Sequence, residues 1–385
     1  MVTFNQCIRV ISLVITLSAC GGGGGVGDTE SSGNTDSEDT PNDQNINNGL
    51  TGRVYVNQEN EGWIVDLSNG GASQLPDKGW WDTDDYTGRG IIFRAHPNQD
   101  ASEFLLFVDN CYREYNRSSG DFDCLSFINA SGDLVTNRAT LTDGIRKAKP
   151  SKDGNYVAIT YADEAYYDPS IQLVIYDRSF TSIISQSTMH VTGGGEDSKY
   201  YERGFDWSSN GQIAYAYTKS IFVTSSYSAE GVPIVTLPDS DSPMVDIYPV
   251  PAKPKFSPNG LKIAFLVSPG NGNTIWVVNV DGTDLHQLAS YVGEVSFNRI
   301  AWSPDGEYIL AGLGAASSFG YGGVPGSLYG IPSDSRDVQV PFSCEGENAD
   351  IANQNGIICL RTYFNNPQYL TRKFDPWGST FEWIE

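Results

Sequence analysis

The chain has 385 residues, with 47 Asp+Glu against 24 Lys+Arg, 41 Gly, 6 Cys and 3 His, and a net charge of −23. That length allows two ordinary domains or one large β architecture. The charge argues against nucleic acid as a partner, since phosphate binding needs a basic stripe and the sequence shows none. Three His leave little for metal or acid–base chemistry, while 39% hydrophobic residues suffice for a packed core.

Residues 1–19 read as a signal peptide. Arg9 supplies the positive start, Val10 to Leu17 the apolar stretch, and Ser18-Ala19 the small residues before Cys20. The apolar stretch is shorter than the roughly 20 residues that a bilayer span takes. Leu17-Ser18-Ala19-Cys20 resembles a bacterial lipobox. The resemblance implies cleavage before Cys20, diacylglycerol on the Cys20 sulfur, and membrane association through that lipid alone. Gly21 stands where lipoproteins retained in the inner membrane commonly carry Asp, so the same resemblance implies the outer membrane, with the side it faces left open. Residues 20–49 then form the lipidated Cys and a tether. Positions 21–49 hold six acids, no base and almost nothing apolar, too little to offset the entropy of ordering. As a disordered coil the tether reaches roughly 30 Å. Gly22, Gly24 and Gly27 spell GxGxxG, but no strand precedes them and no helix follows, so a nucleotide loop is not expected.

From residue 50 to 385 the pattern is short apolar or alternating runs between Gly, Pro, Asn and Asp, which predicts an all-β domain. Four segments align: Lys149-Pro150-Ser151-Lys152-Asp153-Gly154, Asp206-Trp207-Ser208-Ser209-Asn210-Gly211, Lys255-Phe256-Ser257-Pro258-Asn259-Gly260 and Ala301-Trp302-Ser303-Pro304-Asp305-Gly306. An aromatic or Pro ends a strand, an Asp/Asn-Gly turn supplies positive φ, and an alternating strand returns. Thr274 to Val280 adds a further strand before a second turn at Asp281-Gly282. Four such strands make a propeller blade. WSPDG followed by a unit such as IWVVNVDG resembles the TolB-type, WD40-like propeller repeat, most closely over Lys255 to Ala289. The Gly anchors fall at 154, 211, 260 and 306, and weaker ones at Gly49, Asp100 and Gly356 extend the count. Seven blades are favoured, or six if the first and last units merge into one. TolB's extra N-terminal domain has no room here, so the resemblance covers the propeller and TolB's partners do not transfer.

Four cysteines remain in the domain. An even number in an oxidising compartment suggests two disulfides, and the local pairings Cys111–Cys124 and Cys344–Cys359 are favoured among three connectivities. No C-x-x-C spacing supports zinc. His96, His190 and His286 fall at different places in the repeat, so three metal ligands are not expected to converge.

Tight turns recur between strands one and two and between three and four, whereas the long insertions belong to the other rim. Eight of these insertions, between residues 76 and 349, hold 18 acids and 5 bases. They carry Trp80-Trp81, Tyr166-Tyr167 and Tyr200-Tyr201, and Asp82, Asp84 and Asp85 form the densest carboxylate cluster. An acidic, aromatic face suits cationic groups, sugar rings or Ca²⁺. No cofactor is expected, with Ca²⁺ on the Asp82–Asp85 run as the alternative, although that run lacks the Gly and closing Glu of an EF-hand loop. Solvated loops that keep an exported protein soluble are the plainer account of the same residues. No nucleophile elbow, HExxH or P-loop occurs. The favoured function is a non-catalytic binding or scaffold propeller for an envelope protein, peptide or glycan. An outer-membrane assembly factor and a polysaccharide lyase or hydrolase are the alternatives.

Overall fold

Turn chemistry sets where the strands end. In Ser257-Pro258-Asn259-Gly260 the Ser257 hydroxyl donates to Asn259 Oδ1 at 2.8 Å and accepts from the Lys262 amide at 2.9 Å. Asn259 Oδ1 also accepts from the Leu261 amide at 3.0 Å. Gly260 closes the turn at φ +70°, a region that costs a residue with a Cβ about 1–2 kcal/mol. The same web of bonds recurs in Ser151–Tyr156 and Ser303–Tyr308. The weak anchor at Asp100 is a worn copy. There Asn98 and Asp100 accept the turn amides of Glu103 and Ser102, and Ala101 takes the positive φ of 53° that Gly holds elsewhere.

The computed structural model describes residues 50–58, 61–68, 71–76, 93–113, 121–137, 139–142, 145–162, 170–190, 204–217, 219–238, 250–268, 274–291, 296–314, 327–341, 347–359 and 381–384. The chain divides into two units, residues 1–45 and 46–385, and the first lies wholly outside the described residues.

The second unit is built from six antiparallel sheets. Blade 1 comprises Phe381–Ile384, Arg53–Gln58, Glu61–Asp66 and Ala72–Gln74, from the innermost strand outward. Blade 2 holds Phe93–Pro97, Glu103–Arg113, Asp121–Asn129 and Ala139–Thr142. Blade 3 holds Ile145–Pro150, Tyr156–Ala162, Ser170–Asp177 and Ile183–His190. Blade 4 holds Phe205–Trp207, Ile213–Tyr217, Ser220–Thr224 and Gly231–Thr236. Blade 5 holds Val250–Phe256, Lys262–Ser268, Thr274–Asn279 and His286–Ser290, with Val338–Gln339 added in parallel at its edge. Blade 6 holds Ser296–Trp302, Tyr308–Gly314, Ser327–Pro332 and Ile358–Cys359. A helix, Glu347–Gln354, precedes that last strand.

The apolar core is divided into six seams, one between each pair of neighbouring blades. Alternation explains why the second strand of a blade reads as an unbroken apolar run. In blade 2, Phe104, Leu106 and Val108 face the seam with blade 1, while Leu105 and Phe107 face the seam with blade 3. Blade 5 repeats this with Ile263, Phe265 and Val267 toward blade 4 and Ala264 and Leu266 toward blade 6. A strand buried on both faces must be apolar at every position. The sixth seam joins blade 6 to blade 1 through Leu310, Leu328, Val54, Val56 and Trp383, and with it the sheets form a closed ring.

Blade number is where the structure departs from the favoured expectation. There are six blades, not seven. The first unit lacks an inner strand, and Phe381–Ile384 supplies it by pairing with Arg53–Val56. The weak anchor at Gly356 does hold positive φ, at 66°. The strand after it, Ile358–Cys359, pairs with Tyr329 and Gly330 as the outer strand of blade 6. It does not start a seventh blade.

Candidate functional site

The inner strands of the six blades surround the axis, and those of blades 2 to 6 and then 1 touch in succession. One position recurs on them: His96, Lys149, Asp206, Lys255 and Ala301 each stand immediately before the residue that closes the strand, and Glu382 stands before Trp383, two residues from the end of its strand. The segments aligned in the sequence begin at this position, because the turn that follows pins the inner strand in register.

Four of the six side chains converge. The Lys149 ammonium donates to Asp206 Oδ1 at 3.1 Å in the neighbouring blade and to Glu382 Oε1 at 2.9 Å in blade 1. The Lys255 ammonium donates to the same Glu382 oxygen from blade 5. Glu382 thus ties together three alternate blades. All four side chains are at most 13% exposed, so water screens them little.

The backbone around this cluster is clamped. The Trp207 indole donates to the Lys149 carbonyl at 3.1 Å, and the Trp302 indole to the Lys255 carbonyl at 2.9 Å, each across a blade junction. Blade 5 carries Phe256 where its neighbours carry Trp. At that junction the Phe256 amide donates to Asp206 Oδ2 at 3.0 Å instead. At these three junctions, between blades 3 and 4, 4 and 5, and 5 and 6, one donor from one blade bonds an inner-strand group of the other.

Charge state follows from the packing. Burial lowers the His96 pKa well below its ordinary value, and Lys149 and Lys147 lower it further, so the imidazole is neutral near pH 7. Burial also pulls Lys255 down, to about 8, with Lys149 adding to the shift and Glu382 opposing it. For Lys149 burial acts in the same direction, but Glu382 and Asp206 together outweigh it and raise the ammonium's pKa. Glu382 and Asp206 stay ionised: burial would raise both, and the lysines, Lys149 foremost, hold them below the usual carboxylate range. Two lysines beside one carboxylate divide unequally because Lys149 has a second carboxylate and Lys255 faces Lys149.

On the turn rim the cluster opens into a cavity of about 80 Å³, lined among others by Gln99, Lys152, Asp206, Lys255, Trp302 and Glu382. That is room for several waters or a small polar group. Sequence reasoning placed function on the opposite rim and missed this site. Its members follow one another at 49 to 127 residues along the chain, and their only local signal is a charged residue inside an otherwise apolar strand end.

Trp80, Trp81, Asp82, Asp84, Asp85, Tyr166, Tyr167, Tyr200 and Tyr201 all lie outside the described residues, as do Cys20 and Cys344. Cys111 lies on Glu103–Arg113, with its side chain outside the described set; Cys124 and Cys359 lie on strands of blades 2 and 6. The expectation that the three histidines fall on different strands of the repeat holds for His96 but not for the other two, which share the outer strand position. His96 is on the inner strand of blade 2, and His190 and His286 are on the outer strands of blades 3 and 5. Among the described residues no three His, Cys, Asp or Glu side chains come together as a metal site.

No family model matches the chain, and no curated protein matches it in sequence. Solved structures that it resembles do so at low identity. TolB from Acinetobacter baumannii is 12% identical with a TM-score of 0.44, over 74% of this chain and 62% of that one. An oligogalacturonate lyase in complex with manganese is 12% identical with a TM-score of 0.42, over 72% and 70%. The C-terminal WD40 domain of Sif2 is 9% identical with a TM-score of 0.42, over 75% and 79%. The chain spans less than two thirds of the TolB structure. The six-bladed ring stands on its own strand order and seams. That order makes the domain an all-β, six-bladed propeller.

Proposed function

We propose that this protein is a lipid-anchored, non-catalytic binding propeller of the bacterial envelope, which holds a protein, peptide or glycan on its long-loop rim. One observation carries the reading: the two rims of the ring are built differently. Blade 6 is the exception: residues 333–357, with the insertion at 343–349 expected on the long-loop rim, join its third strand to its fourth on the turn rim. Every inner strand ends at the turn rim, where Ser-x-Asp/Asn-Gly turns fasten the first strand to the second in blades 3 to 6. The strands joined by segments 75–92, 163–169, 191–204, 237–249, 315–326 and 360–380 all end at the opposite rim. Long connections on a rigid ring are where binding residues concentrate. Trp80, Trp81, Asp82, Asp84, Asp85, Tyr166, Tyr167, Tyr200 and Tyr201 belong to those connections, and Ca²⁺ bridging the Asp82–Asp85 run is part of the proposal.

The anchor fits the same arrangement. The chain enters the ring at Leu50–Gly52 on the turn rim, where Gly52 accepts from the Leu67 amide and Thr51 from the Trp383 indole. A tether from Cys20 would therefore leave from the rim away from the long connections. The pairings Cys111–Cys124 and Cys344–Cys359 are part of the proposal too. Cys124 and Cys359 each being half of a disulfide supports them, as does the place of Cys111 and Cys124 on adjacent strands. Each bond would close a loop worth about 3 kcal/mol in the chain-entropy model.

The test is capture from crosslinked envelopes together with a glycan array read with and without Ca²⁺. Changing Trp80, Trp81, Asp82, Asp84 and Asp85 together to Ala should abolish whatever the wild-type chain captures. Retention of the partner by that variant would overturn the assignment of the rim. Cys20→Ser should move the protein from the membrane to the soluble fraction.

A further inference from the structure

Charge is distributed unevenly around the axis. Seven of the chain's 24 Lys+Arg lie in the six inner strands, three of them in Ile145–Pro150 and two in Val250–Phe256. Only two of its 47 Asp+Glu lie there, Asp206 and Glu382. A chain with acids outnumbering bases by about two to one overall inverts that ratio at its centre.

The imbalance persists at the mouth on the turn rim. Three ammoniums, Lys149, Lys152 and Lys255, stand around two carboxylates. Lys149 and Lys255 are held by Asp206 and Glu382. Lys152, half-buried on the turn between the first two strands of blade 3, lines the same cavity, and its charge reaches both Asp206 and Glu382. The carboxylate nearest to it in sequence, Asp153, is engaged by the Ser151 hydroxyl at 2.5 Å and the Asn155 amide at 3.1 Å. At His96, one residue before the cavity-lining Pro97, burial is the first cause of the low pKa, and Lys149, Lys147 and Lys255 lower it further against Glu382 alone. Low-dielectric walls strengthen such a field and focus it on the opening.

We propose that the channel mouth on the turn rim is an oxyanion site, which takes a carboxylate or phosphate group of a ligand against Lys152 at the rim with Lys255 behind it. This goes beyond binding on the long-loop rim, and it uses different residues on the opposite end of the ring. The cavity, of about 80 Å³, is sized for a single such group, and Trp207, Phe256, Trp302 and Trp383 also line it.

Calorimetric titration of the full-length protein with inorganic phosphate, and separately with citrate, tests the site at fixed ionic strength. Saturable binding is expected at one site per chain for at least one of the two anions, and it should weaken as salt is raised. The arm that binds tells phosphate from carboxylate. Lys152→Ala should weaken it roughly tenfold, the loss of one charge-assisted hydrogen bond, without changing the thermal melt of the free protein; Lys152→Arg should restore most of it. No saturable heat with either anion would overturn the proposal, and so would binding that Lys152→Ala leaves unchanged. Neither outcome bears on capture by the Trp80–Asp85 rim, so the two readings fail separately.

Discussion

Replacing Glu382 by Gln removes one charge while keeping size and hydrogen-bonding capacity. In the wild type its Oε1 accepts from Lys149 at 2.9 Å and also from Lys255, at 13% exposure. The neutral amide leaves Lys149 with Asp206, 3.1 Å away, and strips Lys255 of the carboxylate that opposes its desolvation. Breaking a buried ion pair from one side typically costs about 3–5 kcal/mol, a large part of the roughly 5–15 kcal/mol that holds a domain together. There is a ceiling on the loss. Lys255 can shed its proton, and near pH 7 that costs at most about 5 kcal/mol from a free lysine's pKa. The ceiling gives the variant a signature in pH. A lysine whose folded pKa lies below its unfolded value binds fewer protons when folded, so stability rises with pH between about 8 and the unfolded value. In Glu382→Gln the folded pKa falls further and this rise begins at lower pH. The deficit against wild type should therefore be largest near neutrality and shrink toward pH 10 or so. Urea unfolding of both proteins across that range measures it. A deficit within about 0.5 kcal/mol near pH 7 would place the charge cluster outside the stability of the ring. A deficit independent of pH would refute the role given to Lys255. Adding Lys255→Met to Glu382→Gln should recover part of the loss, because a pair replaced by neutral groups leaves no buried charge stranded.

Two further perturbations probe the frame. His96 has a folded pKa well below 6.5, so the unfolded state takes up its proton first as pH falls. Stability should then drop by up to about 1.4 kcal/mol per pH unit below roughly 6.5, before the carboxylates Asp206 and Glu382 begin to titrate. His96→Asn should flatten that limb down to about pH 4.5, and an unchanged limb would contradict the burial argument. Gly306 and Gly211 both hold positive φ, at 78° and 81°. An added Cβ at Gly306 meets nothing closer than Pro258 at 3.7 Å, whereas at Gly211 it meets the Tyr227 ring at 2.6 Å. Gly306→Ala should lose about 1–2 kcal/mol from backbone strain alone. Gly211→Ala should lose about 1–3 kcal/mol more, because Tyr227 must also move. Equal losses by thermal or urea unfolding would mean that Tyr227 is not packed as described.

Sequence pattern carried the repeat further than the site. Ser, Asp/Asn and Gly at fixed spacing are legible because a local turn needs all three: Ser151, Asp153 and Gly154 bond to one another within a few residues. Ring closure was only half legible. The strand before residue 53 is missing from the first unit, but nothing local marks Phe381–Ile384 as its replacement. Four residues carry too little pattern, and the match is made by register against Arg53–Val56. The charge cluster was invisible for a related reason. Lys149, Lys255 and Glu382 each look like an isolated charge beside an aromatic or Pro, and only the closed ring brings them together. Blade 6 holds Ala301 at the same position, so even the alignment of repeats shows no common residue type there.

The composite blade also fixes an order of events. Trp383 bonds to Thr51 across 332 residues of chain, so the first blade made stays three-stranded until nearly all the others exist. An emerging chain would present Arg53–Gln58 as an open sheet edge throughout that interval, with Val54 and Val56 uncovered beside it. Unpaired edges with apolar neighbours are what aggregation and strand exchange act on. A four-residue segment supplied by a second molecule could occupy that edge as readily as the chain's own. Delivery of the closing strand, rather than formation of any blade, then becomes the slow and vulnerable step in making this protein.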